Sequence, residues 1–257
     1  MKFLPTTKEE MKSLGWDSID VLLISGDTYL DTSYNGSALV GKWLVEHGFK
    51  VGIIAQPEVD VPDDITRLGE PNLFFAISGG CVDSMVANYT ATKKRRQQDD
   101  FTPGGENNKR PDRAVLVYSN MIRRFFKGTT KKIVISGIES SLRRITHYDY
   151  WTNKLRKPIL FDAKADILSY GMGEMSMLQL ANALKNGEDW KNIRGLCYLS
   201  KEPKEDYLSL PSHADCLADK DKFIEAFHTF YLNCDPITAK GLCQKCDDRY
   251  LIQNPPS

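Results

Sequence analysis

Short apolar runs recur along the first 200 residues, and polar or glycine-rich stretches separate them. Within each run polar residues do not alternate with apolar ones, which is the pattern of strands buried on both faces. We therefore predict six strands, the last of them at a sheet edge: residues 19–25, 50–54, 72–78, 132–136, 165–170 and 193–200.

The segments between these runs place apolar residues at helical spacing. They predict helices at residues 37–47, 83–98, 114–126 and 174–186, although residues 114–126 also fit a strand and are assigned to a helix because their apolar face continues to residue 126. Gly48 and Gly187 follow two of these segments as helix stop signals. Strands that alternate with helices predict an α/β fold, namely a doubly wound, mostly parallel, Rossmann-like sheet.

The pattern changes after residue 200, where only residues 220–232 have a helical pattern and their flanks are loop-like. Residues 1–200 are therefore expected to form the Rossmann-like domain, and residues 201–257 a helical and loop extension. Within the first part, residues 139–158 are basic and aromatic without a clear period.

Small, flexible or acidic residues follow four of the predicted strands. Ligands of doubly wound sheets bind outside the carboxyl ends of the strands, and glycine lets backbone amides approach a ligand closely. The alternative is that these glycines only make tight turns. The loops supply candidate binding residues: Asp27, Thr28, Ser78, Gly79, Gly80, Gly137, Glu139, Gly171, Gly173 and Glu174. The first loop lacks the G-x-G-x-x-G pattern, which disfavours a standard dinucleotide site.

Charge is balanced overall but not along the chain. The sequence has 34 Lys or Arg and 34 Asp or Glu, while residues 93–157 alone contain 17 Lys or Arg and six Asp or Glu. This segment either is a solvated, ion-paired surface or faces an anion such as phosphate or nucleic acid.

Arg143, Arg144 and His147 lie in the basic segment, shortly after the fourth strand. We expect them beside the glycine loops, where they would attract an anionic or nucleotide-like substrate. The alternative is a structural role, in which acidic neighbours pair with the arginines: Asp149, Glu139 and Glu174. Residues 93–96 (KKRR), with Arg110 and Arg113, similarly suggest either a phosphate clamp or an exposed helix end.

The six cysteines are too sparse for a disulfide scaffold, so free thiols are expected. Cys243 and Cys246, with Cys234, have part of a zinc-site spacing, but core thiols are the alternative and we assign no metal ligand. No three cysteines have the C-x-x-x-C-x-x-C spacing of a four-iron cluster loop. The polar N-terminus and the absence of a long apolar run predict a cytoplasmic protein that does not contact a membrane.

Long and unusual strings connect the sequence to a known family. They occupy residues 74–96, 102–120, 136–151, 165–174 and 248–256, and include SGIESSLRRITHYDYW and ADILSYGMGE. In these strings the chain resembles the N-terminal region of the YgiQ-type radical SAM proteins. The resemblance implies a longer parent protein, whose C-terminal radical SAM barrel would bind a four-iron four-sulfur cluster and S-adenosylmethionine. That barrel is the expected partner, and no cluster is expected in this chain.

The layout is also similar to that of cobalamin-binding domains that precede other radical SAM barrels. In those domains, loops that match residues 136–139 and 170–174 border the cobalamin tail. The ligating histidine of their D-x-H-x-x-G loop has no counterpart in residues 27–32 (DTYLDT). The resemblance therefore implies that the fold is kept and that cobalamin binding is lost or changed.

Two functions follow as alternatives. The first is an accessory domain of a radical SAM iron–sulfur enzyme, which would shape the substrate entrance or bind part of the substrate. The second is a free-standing nucleotide- or RNA-binding module that would use the basic residues 93–157.

Overall fold

A mixed sheet with helices on both faces forms the centre of the fold, as described by a computed structural model for residues 3–29 and 36–257. The strands of the described residues are β1 Val21–Ser25, β2 Val51–Ala55, β3 Phe74–Ser78, β4 Lys132–Ser136, β5 His147–Asp149, β6 Lys154–Arg156, β7 Ile167–Ser169, β8 Leu196–Ser200, β9 Leu208–Leu210, β10 Leu242–Cys246 and β11 Arg249–Gln253. The helices are α1 Lys8–Ser13, α2 Gly36–Glu46, α3 Pro62–Thr66, α4 Ser84–Asn88, α5 Ala114–Phe125, α6 Gly137–Ser141, α7 Ile159–Ala163, α8 Gly173–Asn186, α9 His213–Ala218 and α10 Lys220–Leu232.

Nine of these strands form one sheet in the order β2-β1-β3-β4-β7-β8-β11-β10-β9. The first five in this order are parallel, which confirms the predicted mostly parallel α/β fold. Strand β8 runs antiparallel to β7, and β11 runs antiparallel to β8. Strand β11 therefore points in the same direction as the parallel set, so its last residue lies at the same edge of the sheet as the ends of β1, β3, β4 and β7.

The core has two layers because successive residues of each buried strand face opposite sides of the sheet. On one side, Leu22 and Ile24 of β1 pack with helices α3 and α5. On the other, Leu23 packs with α2 and α8. Burying one such side chain completely contributes roughly 1.5–3 kcal/mol, so the continuous apolar runs are what fix the strands inside the sheet.

Residues 201–257 differ from the expected helical and loop extension. Helix α10 has the predicted bounds, but β9, β10 and β11 extend the same sheet past residue 200. Strand β8, expected at an edge, consequently lies between β7 and β11. The reason is that β9 to β11 are short and mix buried polar residues such as Gln244 and Gln253 with apolar ones, which hides the strand pattern.

The predicted helix over residues 83–98 is wrong beyond Asn88. The side chain of Asn88 donates to the Arg110 carbonyl oxygen at 3.1 Å, and Tyr89 forms a β-bridge with Arg95. The side chain of Asn107 in turn donates to the Asn88 carbonyl oxygen at 3.1 Å. These tertiary hydrogen bonds replace the helical ones and tie residues 89–98 to the loop that precedes α5.

Residues 139–158, which had no clear period, contain the end of α6 and the separate hairpin β5–β6. Among the residues that the structure describes, no helix has the length and apolar character needed to cross a membrane.

Candidate functional site

A row of four serines ends the neighbouring parallel strands β1, β3, β4 and β7. Ser25 pairs in register with Ser78 on the neighbouring strand, and Ser78 pairs in register with Ser136. The pairing of Ile135 with Leu168 brings Ser169 level with Ser136 as well. In-register residues of parallel strands face the same side of the sheet, so the four hydroxyl groups lie on the side covered by α2 and α8.

A cavity of about 270 Å³ opens above this serine row, at the carboxyl edge of the sheet. The four serines line it together with the glycine loops that follow the strands and with apolar side chains of the helices, including Leu39 and Met177. Seven predicted site residues line the cavity: Asp27, Ser78, Gly80, Gly137, Gly171, Gly173 and Glu174. The sequence predicted a cavity at this edge of the sheet, whereas Ser25, Ser136 and Ser169, which also line it, were not among the predicted binding residues. The recurring Ile-Ser or Leu-Ser pair at four strand ends was the available signal.

Tight backbone packing joins two of the loops below the cavity. The backbone N–H of Gly26 donates to the Ser78 carbonyl oxygen at 2.9 Å. A Cβ atom at Gly26 would overlap the carbonyl group of Gly79, so only glycine fits there. Gly79 itself lines no part of the cavity and supplies this close approach instead.

A fully buried arginine crosses the floor of the site. Arg110 has no exposed side-chain surface and lies between two buried carboxylates. Its Nη1 is 2.6 Å from Asp27 Oδ1, and its Nη2 is 3.1 Å from Asp99 Oδ2. Asp27 also accepts a hydrogen bond from the Cys81 backbone N–H at 2.6 Å. The charge of Asp27 is therefore balanced from within the protein, although the carboxylate borders the cavity.

The predicted site residue Glu139 is buried below the loops and does not line the cavity. Its carboxylate accepts hydrogen bonds from the backbone N–H groups of Ser84, at 3.0 Å, and Val115, at 3.2 Å. Ser84 is the first residue of α4 and Val115 the second of α5, so Glu139 satisfies free donors at two helix N-termini. Loss of hydration raises the pKa of Glu139, and nearby Asp83 raises it further.

The arginines expected beside the glycine loops are engaged by the protein and do not line the cavity. Arg143 pairs with Asp83 and donates to the Glu139 carbonyl oxygen at 3.0 Å. Arg144 donates to Gln253 Oε1 at 3.0 Å, and its guanidinium group lies between the rings of Tyr170 and Phe230, 4.5 and 4.3 Å from their centroids.

The partners of Arg143 and Arg144 therefore differ from the acidic residues expected from the sequence. Asp149 pairs with Arg113 at 2.8 Å and not with Arg143 or Arg144. The carboxylates of the protein engage Arg110 and Arg113, so neither is available to the phosphate clamp suggested with residues 93–96. Lys93 Nζ of that run donates to the Tyr150 carbonyl oxygen at 3.1 Å. No Lys, Arg or His lines the cavity in the residues 3–29 and 36–257. The expected attraction of an anion by side chains at this site thus loses its basis.

His147 also faces the protein and not the cavity: its Nδ1 is 3.1 Å from the Ile145 carbonyl oxygen. Loss of hydration lowers its pKa from 6.5 to about 4, and Arg143 adds to the lowering while Asp149 and Asp162 oppose it. As the pH falls from 6.5 towards 4, the unfolded chain binds a proton that the folded chain does not.

We expect the free energy of unfolding to fall over this pH window, and His147→Gln to remove about 1–2 kcal/mol of the fall. Urea unfolding at pH 7 and pH 4.5 measures the difference. His47→Gln, at an exposed histidine, is the matched control. An equal pH dependence in His147→Gln and the unmodified chain would contradict the assignment.

Thr28 lies directly after the first loop, and its backbone N–H donates to the Phe101 carbonyl oxygen at 2.9 Å. This hydrogen bond joins the first loop to the segment that contains Phe101, and Thr28 is not among the residues that line the cavity.

The cysteines do not assemble a metal site. Cys243 and Cys246 are three residues apart in β10, so their side chains face opposite sides of the sheet. In the described part of the chain, no group of three or more His, Cys, Asp or Glu side chains is placed to hold a metal ion. An iron–sulfur cluster does not fit these residues, and the cavity wall offers no histidine for the cobalt of cobalamin within the described ranges.

The sequence profile described as "Radical SAM N-terminal" matches residues 3–257. The chain belongs to the radical SAM N-terminal family. A UPF0313 protein of Fusobacterium nucleatum is 96% identical over 257 residues, which are 100% of this chain and 45% of that protein. UPF0313 proteins of Thermotoga neapolitana and Methanocaldococcus jannaschii are 51% and 48% identical over 99% of the chain and 45% and 42% of their own lengths. This radical SAM N-terminal chain thus spans less than half the length of these relatives.

Two solved structures show a limited likeness to the radical SAM N-terminal chain. Both are of TsrM from Kitasatospora setae, described as a radical S-adenosylmethionine methyltransferase. One has tryptophan and a SAM analogue bound and is matched at a TM-score of 0.46 and 16% identity, over 69% of this chain and 28% of that one. The other has cobalamin and a [4Fe-4S] cluster bound and is matched at 0.46 and 17%, over 70% and 27%.

Proposed function

We propose that this radical SAM N-terminal chain is the accessory domain of a radical SAM enzyme of the YgiQ type, and that its cavity holds part of the substrate. The parent protein would bind the four-iron four-sulfur cluster and S-adenosylmethionine in its C-terminal barrel, in the cytoplasm. The supporting observation is a formed cavity at the carboxyl edge of the sheet, in a chain that matches the family over residues 3–257.

The lining of the cavity favours a neutral, hydrogen-bonding part of the substrate. Serine hydroxyl groups both donate and accept hydrogen bonds, and the helix side chains offer apolar surface. Glu174 contributes a carboxylate to the cavity lining. Among the residues that the structure describes, no Lys, Arg or His lines the cavity to neutralise the charge of a phosphate. A nucleotide-like substrate would therefore enter through its base and sugar. Cobalamin is not part of this proposal.

The alternative of a free-standing nucleotide- or RNA-binding module has less support. It needs the basic side chains of residues 93–157 to be available to a ligand. Arg110, Arg113 and Arg143 are instead paired with carboxylates of the protein.

Cluster binding provides the first test. We expect the full-length Fusobacterium nucleatum relative, reconstituted without oxygen, to bind one four-iron cluster. With dithionite as the electron donor, it should cleave S-adenosylmethionine to methionine and 5′-deoxyadenosine. The 257-residue chain should do neither, because its cysteines lie apart. Iron content and the release of 5′-deoxyadenosine are the measurements. A stoichiometric cluster on the 257-residue chain, or none on the full-length protein, would contradict the proposal.

A matched pair of probes tests the preference of the cavity. Adenosine and AMP share base and sugar and differ by the phosphate. We expect adenosine to bind more tightly than AMP, by about tenfold, because a phosphate near Glu174 meets a like charge without a cation. Chemical-shift perturbation of cavity residues measures both affinities. Tighter binding of AMP would show that backbone amides attract the anion after all, and binding of neither would exclude a nucleoside.

A further inference from the structure

The last residues of the chain lie against the mouth of the cavity. Ser257 Oγ donates to the Met172 carbonyl oxygen at 3.3 Å, in the loop between β7 and α8. The Gly195 backbone N–H donates to the Pro255 carbonyl oxygen at 2.8 Å, and Arg194 Nε donates to that of Pro256 at 2.8 Å. This position follows from the direction of β11, which ends at the same edge of the sheet as the strands under the cavity.

Exposed apolar side chains occur in the helix and loop segments next to this point. Met172 is 76% exposed, Leu142 62% and Ile237 89%. Met175 and Ile138 are also exposed, and Ile138 and Met172 line the cavity itself. We call these five residues the apolar rim. Single exposed apolar residues are normal, but a group of them at one edge indicates a contact surface.

Hydrogen bonds join two parts of the rim to the end of the chain. Arg194 Nη2 donates to the Pro236 carbonyl oxygen at 2.5 Å, which holds the loop bearing Ile237 beside the arginine that also binds Pro256. Leu142 follows Ile138 by four residues, at the C-terminal end of α6. Ile138 borders the same cavity as Met172, and Met172 also contacts Ser257, so the rim and the end of the chain meet at the cavity mouth.

We propose that the part of the full-length protein that follows residue 257 packs on the apolar rim and closes the cavity mouth. The Fusobacterium nucleatum protein is more than twice as long as the matched region, since this chain covers 45% of that protein, and the family description "Radical SAM N-terminal" favours a remainder that follows this region. A following segment starts at the rim because Ser257 already touches Met172. This inference rests on the proposed function, and it deepens it: a substrate group in the cavity faces the second part of the protein and is shielded from bulk water.

Hydrogen exchange gives the direct test. In the full-length Fusobacterium nucleatum protein, we expect peptides that contain Met172, Leu142 and Ile237 to exchange at least tenfold more slowly than in the 257-residue chain. Val61 is an exposed residue directly before α3 and is not part of the apolar rim. The peptide around Val61 should exchange at the same rate in the full-length protein and in the 257-residue chain. Equal exchange at the rim in the two proteins would overturn the proposal.

A photo-crosslink identifies the occupant. p-Benzoylphenylalanine at position 172 of the full-length protein should crosslink within one chain, to a peptide that follows residue 257. The same group at position 61 should not. A crosslink from position 172 to a second copy, read from the mass of the product, would overturn the proposal in favour of a dimer contact.

Paired substitutions separate packing from folding. Met172→Glu with Ile237→Glu should leave the unfolding of the 257-residue chain unchanged, since both side chains are exposed. In the full-length protein the pair should restore fast exchange at the rim, whereas Val61→Glu should not. Retained protection in the double variant would overturn the proposal.

The outcomes also separate this proposal from the proposed function. If the rim is protected in a full-length protein that binds no cluster, the docking surface is supported and the proposed radical SAM activity is contradicted. A full-length protein that cleaves S-adenosylmethionine while its rim exchanges freely would retain the activity and reject the docking surface.

Discussion

Replacing Arg110 with methionine is expected to lower the free energy of unfolding by about 3–5 kcal/mol. The guanidinium group is fully buried between Asp27 and Asp99, whose side chains are 3% and 1% exposed. Removing the cation leaves two carboxylates without water and without a counter-charge. Chemical denaturation of Arg110→Met at pH 7 measures the loss.

The neighbouring lysine offers a matched control. Lys109 forms an exposed ion pair with Glu58 at 3.2 Å, so Lys109→Met should cost no more than about 1 kcal/mol. Arg110→Lys should fall between the two, because it keeps the charge but loses the two-pronged geometry. A loss in Arg110→Met as small as that in Lys109→Met would mean that the two carboxylates are neutral or hydrated in the folded chain.

Gly26→Ala is expected to destabilise the chain by about 3 kcal/mol or more. Its added methyl group would meet the Gly79 carbonyl group, which belongs to backbone and cannot rotate away. Relief would require the loops after β1 and β3 to separate, and these loops form the floor of the cavity. Thermal unfolding and the chemical shifts of the cavity residues report both consequences.

Gly36→Ala is the control for this substitution. A Cβ atom at Gly36, the first residue of α2, meets nothing within 4 Å. We expect no loss of stability there, since alanine favours helix over glycine. Similar losses at Gly26 and Gly36 would show that flexibility, and not the contact with Gly79, determines the effect.

Most of the parallel sheet could be predicted from the sequence because its strands are continuous apolar runs, such as that of β1. The C-terminal strands could not. In β10, Gln244 is buried yet polar, because its Oε1 accepts from the Thr146 backbone N–H at 2.8 Å and its Nε2 donates to the Pro211 carbonyl oxygen at 3.0 Å. Such tertiary partners are not visible in a local pattern.

The candidate site shows the same division. The strand-end glycines and Asp27 could be placed because chain direction alone brings parallel strand ends together. Arg144 could not, since its position depends on Tyr170, Phe230 and Gln253, which are distant in the sequence. The sequence therefore predicted where the cavity lies, but the prediction that basic side chains line it was wrong. Sequence spacing does not reveal which carboxylates pair with which cations.

The position of β11 has a consequence for synthesis on the ribosome. Strands β9 and β10 are joined to the rest of the sheet only through β11, which is made last of the described strands. The five parallel strands can pair as soon as β7 has left the exit tunnel. Residues 208–246, by contrast, emerge with no strand to pair with in the main sheet, and β9 and β10 must wait for Arg249–Gln253. A nascent chain stalled before this point would expose the unpaired edge of β8, which is an open site for association with another chain.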